Sequence, residues 1–368
     1  MIKKAAKIVG ATTAGIAVGF AGACLGFYAS RLNTIKSLKK ITKTCTPFDL
    51  YRIDVRYKYD LDRLIERCCS NDEEIVNAML REALPFVPVK INAPEFGCTC
   101  FCAQDDHHTF MGRNYDFKLD TSALMVHCAP KDGYESIAFA ALDNLDANQA
   151  TSSFRSKVAC VPSPLVCLDG INEAGVSIAV LTLDSEPTRQ YSGKPVLATT
   201  VLIRLVLDRA SSTEEAIDLI SKYDTFATNG RDYHFFISDA NGDSRVVEFD
   251  CDTPDRRTVV TKKRTAANYF AAHEDKVVPN QRNGKYGHGM ERYVAVEEVL
   301  NSTNQNVNLE DACWSALRAS SQLPNPNDIT SNTQWSILFD NKSLTATIAI
   351  RRNWTAKFRF AINGVLQG

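Results

Sequence analysis

The stretch from Gly97 to Phe117 constrains this chain more than any other. It reads Gly97-Cys98-Thr99-Cys100-Phe101-Cys102-Ala103-Gln104, then Asp105-Asp106-His107-His108, then Thr109-Phe110-Met111-Gly112-Arg113-Asn114-Tyr115-Asp116-Phe117. Two β-type runs around a polar tetrapeptide predict a hairpin. With the turn centred between Asp106 and His107, antiparallel pairing sets Cys98 opposite Tyr115. Arg113 and Asp116 then fall within diagonal cross-strand reach of Cys98. Local geometry alone gathers a thiol, a guanidinium and a carboxylate. Everything before Gly97 reads as delivery and packaging, everything after Phe117 as the body of a domain.

The first segment carries Lys3, Lys4 and Lys7 and then an uncharged run from Ile8 to Ala29, closed by Arg31. As a helix at about 1.5 Å per residue this run reaches ~33 Å, the thickness of a bilayer core. It contains two G-x-x-x-G steps, Gly15 to Gly19 and Gly22 to Gly26, which let membrane helices approach closely. Three readings compete: an uncleaved anchor, a secretory signal cleaved near Ala21–Ala23, and a lipidated Cys24; the plainer alternative, a buried soluble helix, fits the basic flanks least. Lys36, Lys39, Lys40 and Lys43 make the far side basic too, so orientation stays open.

Residues 32–45 read as a basic linker. Tyr51, Ile53, Val55, Tyr57 and Tyr59 alternate with charged residues and predict a half-buried strand. A helix is expected from Leu61 to Cys69. A capping box at Ser70-Asn71-Asp72-Glu73 starts another, ending near Leu84 before Pro85. Beyond the hairpin, a strand–turn–strand unit spans Leu165 to Leu183. Helices follow at Val196–Arg209 and Ala216–Lys222, the second after the box Ser212-x-x-Glu215. Strands are expected at His234–Ser238, Arg245–Phe249, Thr258–Thr261 and Ala266–Phe270, then a helix at Leu309–Ala319. Three closing strands are Thr333–Phe339, Leu344–Ile350 and Lys357–Ile362. This order predicts an α+β layered domain. With 42 basic and 43 acidic residues, the composition gives no sign of nucleic-acid binding. The twelve cysteines are irregularly spaced, with no C-x-x-C pair to suggest a zinc ribbon.

Cys98, Cys100 and Cys102 share one strand face. Alternate residues on a strand stand ~6.6 Å apart, too far for shared chelation of a metal, so no metal is expected. Cys98 differs from its neighbours because Gly97 precedes it. Cleavage of the 97–98 bond would give Cys98 an α-amine with an ordinary pKa of roughly 7.7–8.0. Such an amine takes the thiol proton without a histidine. Arg113 would favour thiolate, and Asp116 would orient the ammonium form. The plainer reading is a buried cysteine beside a cross-strand ion pair.

Gly97-Cys98-Thr99 followed by Gly112-Arg113-Asn114-Tyr115-Asp116-Phe117 resembles the choloylglycine hydrolase and penicillin V acylase family of N-terminal-nucleophile hydrolases. It is also similar to the related acid amidases. Four further segments fit in order: Asp169-Gly170-Ile171-Asn172-Glu173-Ala174-Gly175, Ala266-Ala267-Asn268-Tyr269, Gly289-Met290-Glu291-Arg292-Tyr293, and Thr333-Gln334-Trp335-Ser336 through Phe360. The resemblance covers about residues 90–365 and implies a four-layer αββα sandwich, preceded here by the membrane or signal helix.

It also implies roles. Cys98 would be nucleophile and, through its amine, base. Arg113 and Asp116 would hold it, Asn268 would donate to the oxyanion, and Arg292 would complete the charged cluster. Thr182 and Asn172 would stand at or beside the oxyanion hole, Thr182 where bile-salt hydrolases carry an asparagine. The spacing from Cys98 to Arg113 is one residue shorter than in the relatives, which a shorter hairpin turn would absorb.

Three divisions follow: residues 1–31 as anchor or signal, 32–97 as linker and pro-segment, and 98–368 as the amidase unit. The 97 residues that would have to be removed before Cys98 are similar to the precursor organisation of the acid amidases. The expected function is hydrolysis of a linear N-acyl amide through an acyl-cysteine, after self-cleavage at Gly97–Cys98 and with no cofactor. Acyl transfer by the same intermediate, an unprocessed membrane-anchored binding protein, and a cysteine–histidine hydrolase using one of the six histidines are the competing readings. Expected partners are a small N-acyl amide and a membrane through residues 8–29, with self-association open. Location would be membrane-anchored, or secreted if the segment is removed.

Overall fold

The computed structural model describes residues 26–367 apart from 43–47, 86, 88, 92–96, 118–119, 283, 304–306, 326 and 328–330. Among these residues the strands form two large sheets and one small one. The first sheet has nine strands. In spatial order they are β1 (Lys39–Lys40), β2 (Leu50–Val55), β5 (Ala123–Cys128), β6 (Ser136–Ala141), β7 (Asp169–Asn172), β8 (Ser177–Leu183), β11 (Asp232–Ser238), β12 (Ser244–Phe249) and β13 (Thr258–Lys262). The second has seven, in the order β14 (Thr265–Ala266), β3 (Gly97–Gln104), β4 (Thr109–Asp116), β15 (Thr333–Asp340), β16 (Thr345–Ile350), β17 (Lys357–Ala361) and β18 (Leu366–Gln367). A parallel pair, β9 (Val196–Ala198) and β10 (Asp224–Phe226), stands apart.

Helices cover both outer faces. Residues 26–37 form α1; then come α2 (Leu61–Glu66), α3 (Asp72–Ala83), α4 (Phe154–Ala159), α5 (Thr199–Arg209), α6 (Thr213–Ser221), α7 (Met290–Ser302) and α8 (Leu309–Ala319). α5 and α6 lie on the nine-stranded sheet, α7 and α8 on the seven-stranded one, and β3 faces β8 across the middle. The main core is the apolar layer between and around the sheets, with Leu124, Met125, Phe235, Phe339 and Trp335 fully buried.

The hairpin forms in the expected register, with Cys98 paired to Tyr115 and Gly97 to Asp116. Asp105 builds its turn: Oδ1 accepts from the backbone N–H of His107 at 2.8 Å and of His108 at 2.7 Å. Glycine is required at position 112, because a Cβ there would lie 2.2 Å from the Phe101 ring.

The segment before the hairpin differs from its expected form. Residues 32–37 are not linker; they complete α1, and Lys39 and Lys40 pair with β2. The apolar run Ile8–Ala29 lies outside the described residues up to residue 25. Its described end, residues 26–29, belongs to α1 and is exposed apart from the half-buried Phe27; the buried Arg31 just beyond it donates to the carbonyls of Glu82 and Ala83 and fixes the helix to α3. No helix among the described residues is long and apolar enough to cross a membrane. β2 stops at Val55 because its partner β5 stops at Cys128. Tyr57 and Tyr59 leave the sheet and reach Val161 O at 2.9 Å and the Asp208 carboxylate at 3.0 Å. The α3 cap sits one residue later than expected: Asn71 accepts from Glu74 N, and Glu74 reaches back to Ser70 N.

Candidate active site

Strand alternation sorts the hairpin side chains onto two faces. Cys98, Cys100, Arg113 and Tyr115 face the nine-stranded sheet. Thr99, Phe101, Asn114 and Asp116 face α7 and α8. Cys98 is 0% exposed. Its Sγ accepts from Arg113 Nη2 at 3.0 Å, and the same nitrogen donates to Val180 O on β8 at 3.1 Å. Arg113 also forms a fully buried ion pair with Asp169 at the start of β7. The guanidinium thus bridges the sheets directly behind the sulfur. Burial pushes the Cys98 thiol above its ordinary pKa, and the Arg113 charge pulls against that rise. Tyr115 stacks on Trp335, with ring centroids 4.2 Å apart, and floors the site.

The Cys98 backbone is held as firmly as its side chain. Its N–H donates to Asn268 Oδ1 at 2.9 Å, and its carbonyl accepts from Arg292 Nη1 at 2.6 Å. Arg292 also donates to Thr99 Oγ1 at 3.0 Å and to Asn268 Oδ1 at 2.9 Å. Asn268 Nδ2 donates to Thr182 O at 2.8 Å and Thr182 Oγ1 at 3.1 Å. Asp116 lies 3.6 Å from Arg292 and accepts from Thr333 Oγ1 at 2.6 Å and Gln322 Nε2 at 3.0 Å. Burial raises the Asp116 pKa, opposed chiefly by Arg292.

The structure therefore brings Cys98, Arg113, Asn268, Arg292 and Thr182 into one bonded cluster. Asp116 joins through Arg292, from the face of β4 opposite to Cys98. Asn172 does not join. Its side chain donates to Leu207 O and Ala210 O at the end of α5, on the outer side of the sheet, and accepts from Val176 N. Asn172 is a helix-end and turn residue, and its expected place beside the oxyanion hole is corrected. Asp169 is the member that site reasoning missed. It heads the D-G-x-N-E segment, but nothing in local spacing ties it to Arg113. Among the described residues no histidine bonds the Cys98 sulfur.

A metal-type donor set occurs elsewhere. Asp250, Cys251 and His273 place ligand atoms within 4.8 Å of one another. Asp250 already bonds His273 at 2.8 Å, and the ammonium groups of Lys276 and Lys285 hold the adjacent Asp252. None of these residues belongs to the Cys98 cluster.

Chemically, the cluster offers a thiol beside a fixed cation and a backbone nitrogen one residue-length from the sulfur. It also offers an amide side chain and two arginines around both. Comparison with known proteins bears on this geometry. The family model for linear amide C–N hydrolases, choloylglycine hydrolase family, matches residues 98–333. Among solved structures, a variant of conjugated bile acid hydrolase from Clostridium perfringens shares the fold, with a TM-score of 0.50 and 16% identity over 72% of this chain and 93% of that one. Penicillin V acylase from Agrobacterium tumefaciens aligns with a TM-score of 0.49 and 19% identity over 69% and 83% of the two chains. No curated protein sequence matches the chain.

Proposed function

The chain belongs to the choloylglycine hydrolase family of linear amide C–N hydrolases, and on that premise we propose that Cys98 is an N-terminal nucleophile released by self-cleavage after Gly97. The observation that carries the reading is the double hold on Cys98: Arg113 on its sulfur and Asn268 on its backbone nitrogen.

In the first reaction the Cys98 sulfur attacks the Gly97 carbonyl carbon. The acyl group moves from nitrogen to sulfur, the C–N bond breaks, and the nitrogen takes up the proton that the thiol gives up and leaves as the α-amine. Water then cleaves the thioester, leaving a Gly97 carboxylate and a free thiol. In the second reaction the α-amine takes the thiol proton and the thiolate attacks the substrate amide carbon. The ammonium returns a proton to the departing amine, and water releases the acid from the acyl-cysteine.

Asn268 Oδ1 would hold the new amine as it now holds the N–H. For Asn268 Nδ2 to serve the tetrahedral oxyanion, the substrate oxygen would take the place of the Thr182 hydroxyl, its weaker partner at 3.1 Å. Such a donor is worth about 10²–10³ in rate. After cleavage the segment up to Gly97 would remain with residues 98–368 as a two-chain protein, because β2 is hydrogen-bonded to β5 along its whole length.

N-terminal sequencing and intact mass of the purified protein test the first reaction. A panel of N-acyl amides, penicillin V and a conjugated bile acid among them, tests the second. Turnover with the 97–98 bond intact would overturn the mechanism.

A further inference from the structure

We propose that His288 and Asp184 form a positioning pair that locks Asn268 against Thr182; the proposal rests on the reading of Asn268 and Cys98 given above. His288 is buried, and its Nδ1 donates to Asp184 Oδ2 at 2.6 Å. The backbone N–H of His288 donates to the backbone carbonyl of Asn268 at 2.8 Å. Asp184 lies two residues beyond Thr182, which accepts both bonds from the Asn268 amide nitrogen. These contacts close a ring: Asn268 side chain to Thr182, along the chain to Asp184, across to the His288 ring, and back through the His288 backbone to Asn268. The side chain of the asparagine is held by β8 and its backbone by the His288 turn, and the His288–Asp184 bond joins these two supports.

The flanking residues show how tightly that loop is pressed onto the site. Gly287 has φ +96°, and a Cβ there would lie 2.1 Å from the Asn268 carbonyl oxygen. Gly289 has φ +90°, and a Cβ there would lie 2.3 Å from the Arg292 guanidinium. Only glycine at both positions combines this backbone with this approach. The turn Gly287-His288-Gly289 therefore seats Asn268 on one side and Arg292 on the other, with the His288–Asp184 bond as its tie to β8. His288 does not bond the sulfur. It acts through Asn268, whose Oδ1 holds the Cys98 nitrogen.

The test compares His288→Ala, Asp184→Ala, the double variant, His288→Asn and His288→Gln in the full-length chain. Asparagine keeps a donor near the Nδ1 position; glutamine moves it toward Nε2. Self-cleavage of freshly synthesised chain, followed by intact mass, needs no substrate; penicillin V hydrolysis by processed protein adds kcat and KM. We expect each alanine variant to slow self-cleavage and lower kcat by about 10²-fold, the scale of a small misplacement at a reacting centre, with KM within about twofold.

The double variant should be no slower than the slower single, and His288→Asn should recover most of the rate while His288→Gln does not. Independent, multiplicative losses, a change in KM alone, or equal behaviour of the asparagine and glutamine variants would overturn the pair. Should the alanine variants fail to fold, the asparagine–glutamine comparison decides. Should the wild type neither cleave itself nor hydrolyse any acyl amide, the functional reading fails on its own. The lock is then judged by a crystal structure of His288→Gln, where Asn268 still seated on Thr182 would refute it.

Discussion

The β3–β4 hairpin is buried along almost its whole length and the β1–β2 edge of the other sheet only in part, and the two are built on opposite principles. The hairpin joins two neighbouring strands through one turn, so its register follows from spacing within a short stretch. The edge joins β2 to β5 in parallel, a pairing that needs a long crossover. Its anchors Tyr57 and Tyr59 reach partners 104 and 149 residues away. The hairpin concentrates chemistry: a thiol, two arginines and an asparagine within bonding distance. The edge concentrates adhesion: tyrosine hydroxyls, a ladder and the buried Arg31. Cutting the chain between them would therefore change the covalent state of the site and leave the sheet whole.

The contrast breaks most directly at Cys98, the proposed nucleophile. Cys98→Ala should abolish hydrolysis and self-cleavage, a loss on the order of 10⁶ for a group of this kind, while thermal unfolding shifts by only a few degrees. Asn268→Ala should cost about 10²–10³ in kcat, again with a small shift. Steady-state kinetics beside calorimetry checks both, and a collapse in stability as severe as the loss of rate would erase the distinction between the regions.

Much of this division is visible in the sequence, and the parts that are not share a cause. The Cys98–Tyr115 register could be read because turn and strands are contiguous. The α6 cap could be read for the same reason, since Ser212 and Glu215 lie within one turn. The α3 cap slipped by one because Asn71, an equally good cap, follows Ser70 directly. Parity limits what proximity can say: Asp116 is near Cys98 along the hairpin but on the other face, and Asn172 is near Asp169 but points to α5. β5 and β6 escape pattern reading because they are buried along nearly their whole length and show no alternation. The Arg113–Asp169 pair and the His288–Asp184 bond unite distant segments, and no local spacing encodes either.

On the adhesive side, the largest effect should come from Asp208. It pairs with Arg204 at 2.7 Å and accepts from Tyr59, with both charged groups buried. Asp208→Ala would strand the Arg204 charge and cost about 3–5 kcal/mol. Tyr59→Phe removes one bond to a charged group and should cost about 1.5–3 kcal/mol. Denaturant unfolding measures both, and gel filtration of cleaved protein should show the N-terminal piece retained in the wild type and released first in Asp208→Ala. Neither change should alter kcat in the molecules that remain folded. A rate loss in Tyr59→Phe comparable with that of Asn268→Ala would mean that the edge takes part in chemistry after all.

The smallest effect lies on the seam itself. Asp54 on β2 is paired in register with His127 on β5. The His127 Nδ1 lies 3.6 Å from Asp54, and its Nε2 lies 2.7 Å from Glu135. Burial acts to lower the His127 pKa, but the bonds to Asp54 and Glu135 outweigh it, and the net shift is upward. Burial acts to raise the Asp54 pKa, but its bonds to His127 and Arg52 bring it down. The signs then set a window. A raised histidine stabilises the folded state fully below its unfolded pKa, about 6.5, and loses that contribution as pH rises through the folded value. A depressed aspartate contributes above about pH 4 and loses it on acidification. The seam should be tightest between about pH 4 and 6.5 and loosen toward pH 8. For a partly exposed pair the change is at most about 1 kcal/mol. His127→Gln should flatten the decline in melting temperature between pH 6 and 8 without touching the pH profile of kcat; an unchanged decline would remove His127 from the adhesion of the two segments.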